Sequence, residues 1–92
     1  MEIRMAGIDH SKAGLEYREI FSFTKSGLSA ALRQIKAEYP QMGCVILSTC
    51  NRTELWLSGG EVSPLELLCR EKGVCPEQYQ TYFQCREGEE AV

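Results

Sequence analysis

Residues 45–57 read VILSTCNRTELWL, two apolar runs joined through Ser48-Thr49-Cys50-Asn51-Arg52. The flanks have the β-branched and aromatic content of strands. A tight hairpin ordinarily turns on Asn-Gly or Asp-Gly. Here the corner is a thiol between hydrogen-bonding side chains, with a guanidinium two residues on. The stretch therefore decides the topology at mid-chain and marks the place to look for chemistry.

Upstream, IRMAGIDHS reads as a first strand ending near Asp9-His10, and LEYREIF as a short helical segment with Leu15, Ile20 and Phe21 inside. TKSGLSAALRQIKAEYP is the clearest helix. Leu28, Ala31, Leu32, Ile35 and Tyr39 follow the i, i+3, i+4, i+7, i+11 pattern, Thr24 or Ser26 can cap its start, and Pro40 stops it. GCVILST reads as a buried strand and TELWLSG as its hairpin partner, ended by Gly59-Gly60. SPLELLCREKG is a helix with Ser63 as N-cap, Pro64 at its first position, Glu66 completing a capping box and Gly73 as the stop. Leu65, Leu68 and Cys69 are expected to face inward. YQTYFQCREG predicts a last strand, with Thr81, Phe83 and Cys85 alternating against Tyr82 and Gln84. EGEEAV opens a further helix. The order β, α, β, β, α, β predicts an α+β fold of ferredoxin-like, split βαβ type, an antiparallel sheet covered by helices.

Ninety-two residues, 43% of them hydrophobic, make one small domain with a modest core. The net charge of −3, with the basic residues spread along the chain, gives no concentrated basic face of the kind that autonomous tight nucleic-acid binding needs. No Gly-x-Gly-x-x-Gly or Walker-type loop is present. No transmembrane run or secretory leader is apparent, so a cytoplasmic chain with free thiols and no membrane partner is expected. The stop at Glu-Glu-Ala-Val reads as a truncation.

Five cysteines and one histidine carry the chemistry open to this chain. Their spacing holds no Cys-x-x-Cys knuckle, and no metal site is expected. Cys44, Cys69 and Cys85 read as small hydrophobes, and Cys75 precedes Pro76 without an evident role. Cys50 stands where the chain leaves a buried strand, beside Thr49, Asn51 and Arg52. A nearby guanidinium favours a thiolate, and Asn51 with local N–H groups can support an oxyanion. The same residues, from Ser48 to Arg52, also satisfy a polar hairpin. His10 reads either as a structural hydrogen-bonder or as a base brought toward Cys50 by the sheet.

GIDHSKAGLEYRE followed by VILSTCNRTELW resembles the amino-terminal catalytic domain of glutamyl-tRNA reductases, and the terminal EGEEAV matches a segment of that family. The resemblance covers nearly the whole chain. It implies NADPH-dependent reduction of glutamyl-tRNA to glutamate-1-semialdehyde for tetrapyrrole (heme, porphyrin) synthesis. It implies that Cys50 is the nucleophile that takes the glutamyl group as a thioester. Thr49, Asn51 and Arg52 then bind substrate, with His10 and Ser48 as supporting candidates. Residues 1–92 would be the transfer domain alone. The NADPH and dimerisation domains, a further active-site histidine, the homodimer contacts and any link to a downstream aminomutase would lie outside it. One departure is Gly14, where the family usually shows proline.

Three rivals share the composition. A non-catalytic ferredoxin-like regulatory or docking module needs no thiol. An RNA-recognition domain has the same element order but needs aromatics on its sheet face. A redox sensor needs a resolving cysteine near Cys50.

Overall fold

In the computed structural model, which describes residues 3–88, burial alternates along β3 (Arg52–Ser58). Thr53, Leu55 and Leu57 are buried, whereas Glu54, Trp56 and Ser58 are half-exposed. That period of two gives the sheet one inner face. β3 pairs antiparallel with β2 (Gly43–Ser48) through Ser48↔Thr53, and with β1 (Ile3–Asp9) through Asp9↔Arg52. β1 pairs on its other side with β4 (Gln84–Glu87), giving the order β2-β3-β1-β4. This is the expected ferredoxin-like arrangement.

The helices cover the inner face. α1 (Leu15–Ile20) follows β1, α2 (Lys25–Glu38) lies over β2, and α3 (Pro64–Lys72) lies over β1 and β3. Ala6, Ile8, Ile46, Leu55 and Leu57 from the sheet meet Ala31, Ile35, Leu67, Leu68 and Phe21 from the helical layer. Thr24 Oγ1 accepts from the Gly27 N–H to start α2, and Ser63 Oγ accepts from the Glu66 N–H to start α3. Gly73 closes α3 at φ 68°, the left-handed conformation that a Cβ disfavours. Arg4, although almost fully buried, donates from Nη2 to the carbonyls of Gly59 (2.9 Å) and Val62 (3.2 Å) and so holds the β3–α3 connection.

Five expectations need correction. β2 is an edge strand and not a buried one. Only Ile46 is buried on it, while Val45 is 61% and Leu47 37% exposed on the face the helices leave bare. Composition alone does not distinguish an edge from a centre. The last strand is only four residues long. Pro76 at a first helical position starts α4 (Pro76–Tyr79), which passes through a 3-10 turn at Gln80–Tyr82. Tyr79, Tyr82 and Phe83 have helical spacing, i, i+3, i+4. Tyr82 stacks on Tyr17 at 4.2 Å, and Phe83 and Tyr79 meet Phe21 edge-on at 4.8 and 5.3 Å. These aromatics are spent on packing α1, which removes them from any RNA-binding sheet face. Cys85 is exposed and Leu67, not Leu65, is buried on α3. Leu15 is 58% exposed. The helix expected from EGEEAV falls on residues 89–92, outside the described residues.

Leu55 has no exposed surface, so Leu55→Ala should cost about 2–5 kcal/mol, while Val45→Ala should cost under about 1 kcal/mol. Urea titrations of the two variants check this. Equal losses would contradict the assignment of β2 to the edge.

Candidate active site

The β2–β3 connection is a four-residue turn. The Thr49 N–H donates to the Arg52 carbonyl at 2.8 Å, which leaves Cys50 and Asn51 at the corners. Thr49 Oγ1 accepts from both the Asn51 and the Arg52 N–H, each at 3.2 Å. Among the described residues no non-glycine has a positive φ, so this is not one of the primed turns that Asn-Gly serves. The threonine hydroxyl does locally what glycine's conformational freedom does elsewhere. The question raised by the Ser-Thr-Cys-Asn-Arg run has a physical answer: the polar side chains make the corner.

Ser48, still on β2, turns inward. Its Oγ accepts from the Phe23 N–H at 3.1 Å and lies 3.4 Å from Thr53 Oγ1. This ties the hairpin to the start of α2. Cys50 is exposed. It lines a cleft of about 150 Å³ with Leu15, Arg18, Glu19, Ser22 and Thr49. Leu15, Arg18 and Glu19 follow i, i+3, i+4, so one face of the short helix forms the wall, continued by Ser22 just past its end. Arg18 was not picked out from the sequence. Its Nη1 donates to the Cys50 carbonyl at 3.2 Å and lies 3.5 Å from that of Asn51. The helical stripe from Leu15 to Ser22 was the available signal, misread because Leu15 was assigned to the core.

His10, Asn51 and Arg52 fall on the other side of Thr49, in a second cleft of about 340 Å³ with Asp9. His10 is therefore a neighbour of Arg52 rather than part of the Cys50 cleft. The Arg52 guanidinium is half-exposed and lies 4.0 Å from the Glu54 carboxylate. The N–H groups of Asn51 and Arg52 are engaged by Thr49 Oγ1, whereas the Asn51 side chain is exposed. Asp9 accepts from both the Oγ and the N–H of Ser11, which hold its carboxyl below the ordinary value of 3.8, with smaller help from His10 and Arg52. Burial pushes the Cys69 thiol up to about 11 and also raises that of Cys44. Among the described residues no three His, Cys, Asp or Glu side chains gather as a metal site, and no helix is long and apolar enough to cross a membrane.

Residues 6–92 match the family model described as glutamyl-tRNA(Glu) reductase, N-terminal domain. The chain belongs to the glutamyl-tRNA reductase family. It is 42% identical over its whole length to a glutamyl-tRNA reductase of Acetivibrio thermocellus, covering 29% of that protein. It is 40% identical to that of Alkaliphilus oremlandii, covering 28%. A probable multifunctional siroheme biosynthesis protein of Ruminiclostridium josui is 38% identical, with 19% covered. The chain thus spans less than a third of the curated glutamyl-tRNA reductases it matches. Gly14 has φ −70°, inside proline's range, so the backbone at this position does not itself require glycine.

Two outcomes follow from this geometry. Limiting iodoacetamide near pH 8 should label the exposed Cys50 and Cys75 before Cys44, and leave Cys69 intact until the chain unfolds. Peptide mapping that finds Cys69 modified as fast as Cys75 would sink this order. Because Asp9 has a lowered pKa, its contribution to stability is present above its unfolded value and is lost as pH falls through the folded one. The melting-temperature gap between wild type and Asp9→Asn should therefore be full above about pH 5 and shrink toward about pH 2. A gap that grows on acidification would contradict it.

Proposed function

We propose that this chain is the glutamyl-transfer domain of an NADPH-dependent glutamyl-tRNA reductase serving tetrapyrrole synthesis. The observation that carries the reading is an exposed thiol at the corner of a turn braced by Thr49 and Arg18, in a family named for an aminoacyl-ester substrate. The Cys50 thiolate attacks the carbonyl carbon of the glutamyl ester. The carbon–oxygen bond to the terminal ribose breaks, the ribose oxygen takes up the proton that the thiol gave up, and a glutamyl thioester remains. No electrons change hands in this step. Asn51 and Arg52 serve the substrate from the adjoining cleft, where Arg52 offers a planar fork to the substrate carboxylate. Thr49 lines both clefts and fixes the distance between them.

Reduction of the thioester belongs to NADPH, and the described residues do not fit that cofactor. β1 enters α1 through Asp9-His10-Ser11-Lys12-Ala13-Gly14, which is no glycine-rich phosphate cradle, and all sheet neighbours are antiparallel. NADPH binding, homodimerisation and any hand-over to an aminomutase are assigned to sequence beyond this domain.

Incubation with glutamyl-tRNA, acid quench and intact-mass analysis should show a gain of one glutamyl group, mapped to Cys50 and released by hydroxylamine. Cys50→Ala should abolish it and Cys75→Ala should leave it. Glutamyl transfer that survives Cys50→Ala would sink the mechanism, and binding without any adduct would favour the docking-module reading.

A further inference from the structure

We infer that Arg18 is a positioning residue for Cys50, an inference that rests on the glutamyl-transfer reading. The sequence offers Arg52 as the guanidinium beside the thiol, yet Arg52 lines the neighbouring cleft and approaches Glu54. Arg18 is the guanidinium that shares the Cys50 cleft. One of its nitrogens serves the carbonyls of Cys50 and Asn51 together, across separations of 32 and 33 residues. The turn's own bonds, Thr49 N–H to Arg52 and the two to Thr49 Oγ1, fix its shape. Ser48 and the pairing of Arg52 with Asp9 hold the root of the hairpin, and Arg18 ties its corner to α1.

The base of the Arg18 side chain is itself fixed. Its N–H donates to the Gly14 carbonyl at 3.1 Å, and its carbonyl accepts from the N–H of Phe21, a side chain with no exposed surface. A charged fork on a rigid stem is a preorganised clamp. Arg18 Nε is buried with no hydrogen-bond partner. A buried donor left unpaired is unfavourable, so this orientation does not optimise Arg18's own bonding. It places Nη1 on the turn carbonyls. Clamping from α1 also couples the thiol to the wall of its cleft, because Leu15 and Glu19 belong to the same helix face. Arg18 thereby sets where an ester lodged against α1 meets Cys50.

The test is single-turnover glutamylation of Cys50 by glutamyl-tRNA, with hydrogen exchange of the turn as a second readout. Arg18→Gln should lower the maximal rate about tenfold or more, as expected for a displaced reacting group, with half-saturation changed less than about threefold. Arg18→Lys, which keeps the charge on a different head, should recover part of the rate. Exchange at the Thr49 N–H should quicken in Arg18→Gln while the melting temperature stays within a few degrees of wild type. A wild-type maximal rate in Arg18→Gln, or a loss confined to half-saturation, overturns the positioning role and leaves the transfer reading standing. Unchanged exchange at Thr49 overturns the clamp on its own, whatever substrate the domain accepts. No adduct on the wild-type chain overturns the transfer reading, and the catalytic part of this inference with it.

Discussion

One threonine hydroxyl holds two consecutive backbone N–H groups, and the site is built around that contact. It lets the chain reverse without glycine, so the corner is free to carry a thiol. It also fixes the hairpin register, Ser48 opposite Thr53. A slip of one residue would move every side chain of the strand to the other face. Ser48 would then lose Phe23, and Cys50 would leave the corner. Fold and candidate site share one constraint here, since the hydrogen bonds that close the turn are the ones that present the Cys50 thiol.

Around the turn the domain is stitched by long-range polar contacts to backbone carbonyls. Arg4 reaches Gly59 and Val62, Arg18 reaches Cys50, and Lys72 reaches Ser22 while sitting over the Phe23 ring. Each uses a cation to satisfy acceptors at a chain reversal or helix junction that secondary structure leaves unpaired. The Lys72 and Ser48 contacts converge on the Ser22–Phe23 link between α1 and α2, so the helix that walls the Cys50 cleft is anchored at its far end as well.

Where local chemistry settled the outcome, the sequence was a sufficient guide. Helix caps at Thr24, Ser63 and Gly73, the hairpin around Cys50 and the split βαβ order were all legible from residue type and spacing. What was missed depends on which elements become neighbours. β2 has a core strand's composition but lies at an edge. The segment from Tyr79 to Phe83 can alternate as a strand or stack as a helix, and Tyr17 and Phe21, some sixty residues away, decide it. Arg18 lay in a stretch read for its apolar residues, and only the packing of α1 beside the turn reveals its contacts. The division of the candidate residues between two clefts was equally invisible, because adjacent positions in a turn diverge in space.

The order in which the strands find partners has a consequence for how the domain assembles. β1 is the first element of the chain, yet Ile3 pairs with Ser58 and Arg4 with Glu87. Closing loops of that length carries an entropic cost before any contact is gained, and non-local pairing slows folding. The β2–β3 hairpin closes over only four turn residues and needs nothing from either terminus to begin. On an emerging polypeptide the segment bearing Cys50 can take shape while β1 still lacks β4, and β1 becomes a central strand only when residues 84–87 arrive. The turn that carries Cys50 thus belongs to the most local strand pairing of the sheet, and the centre of the sheet to the least local.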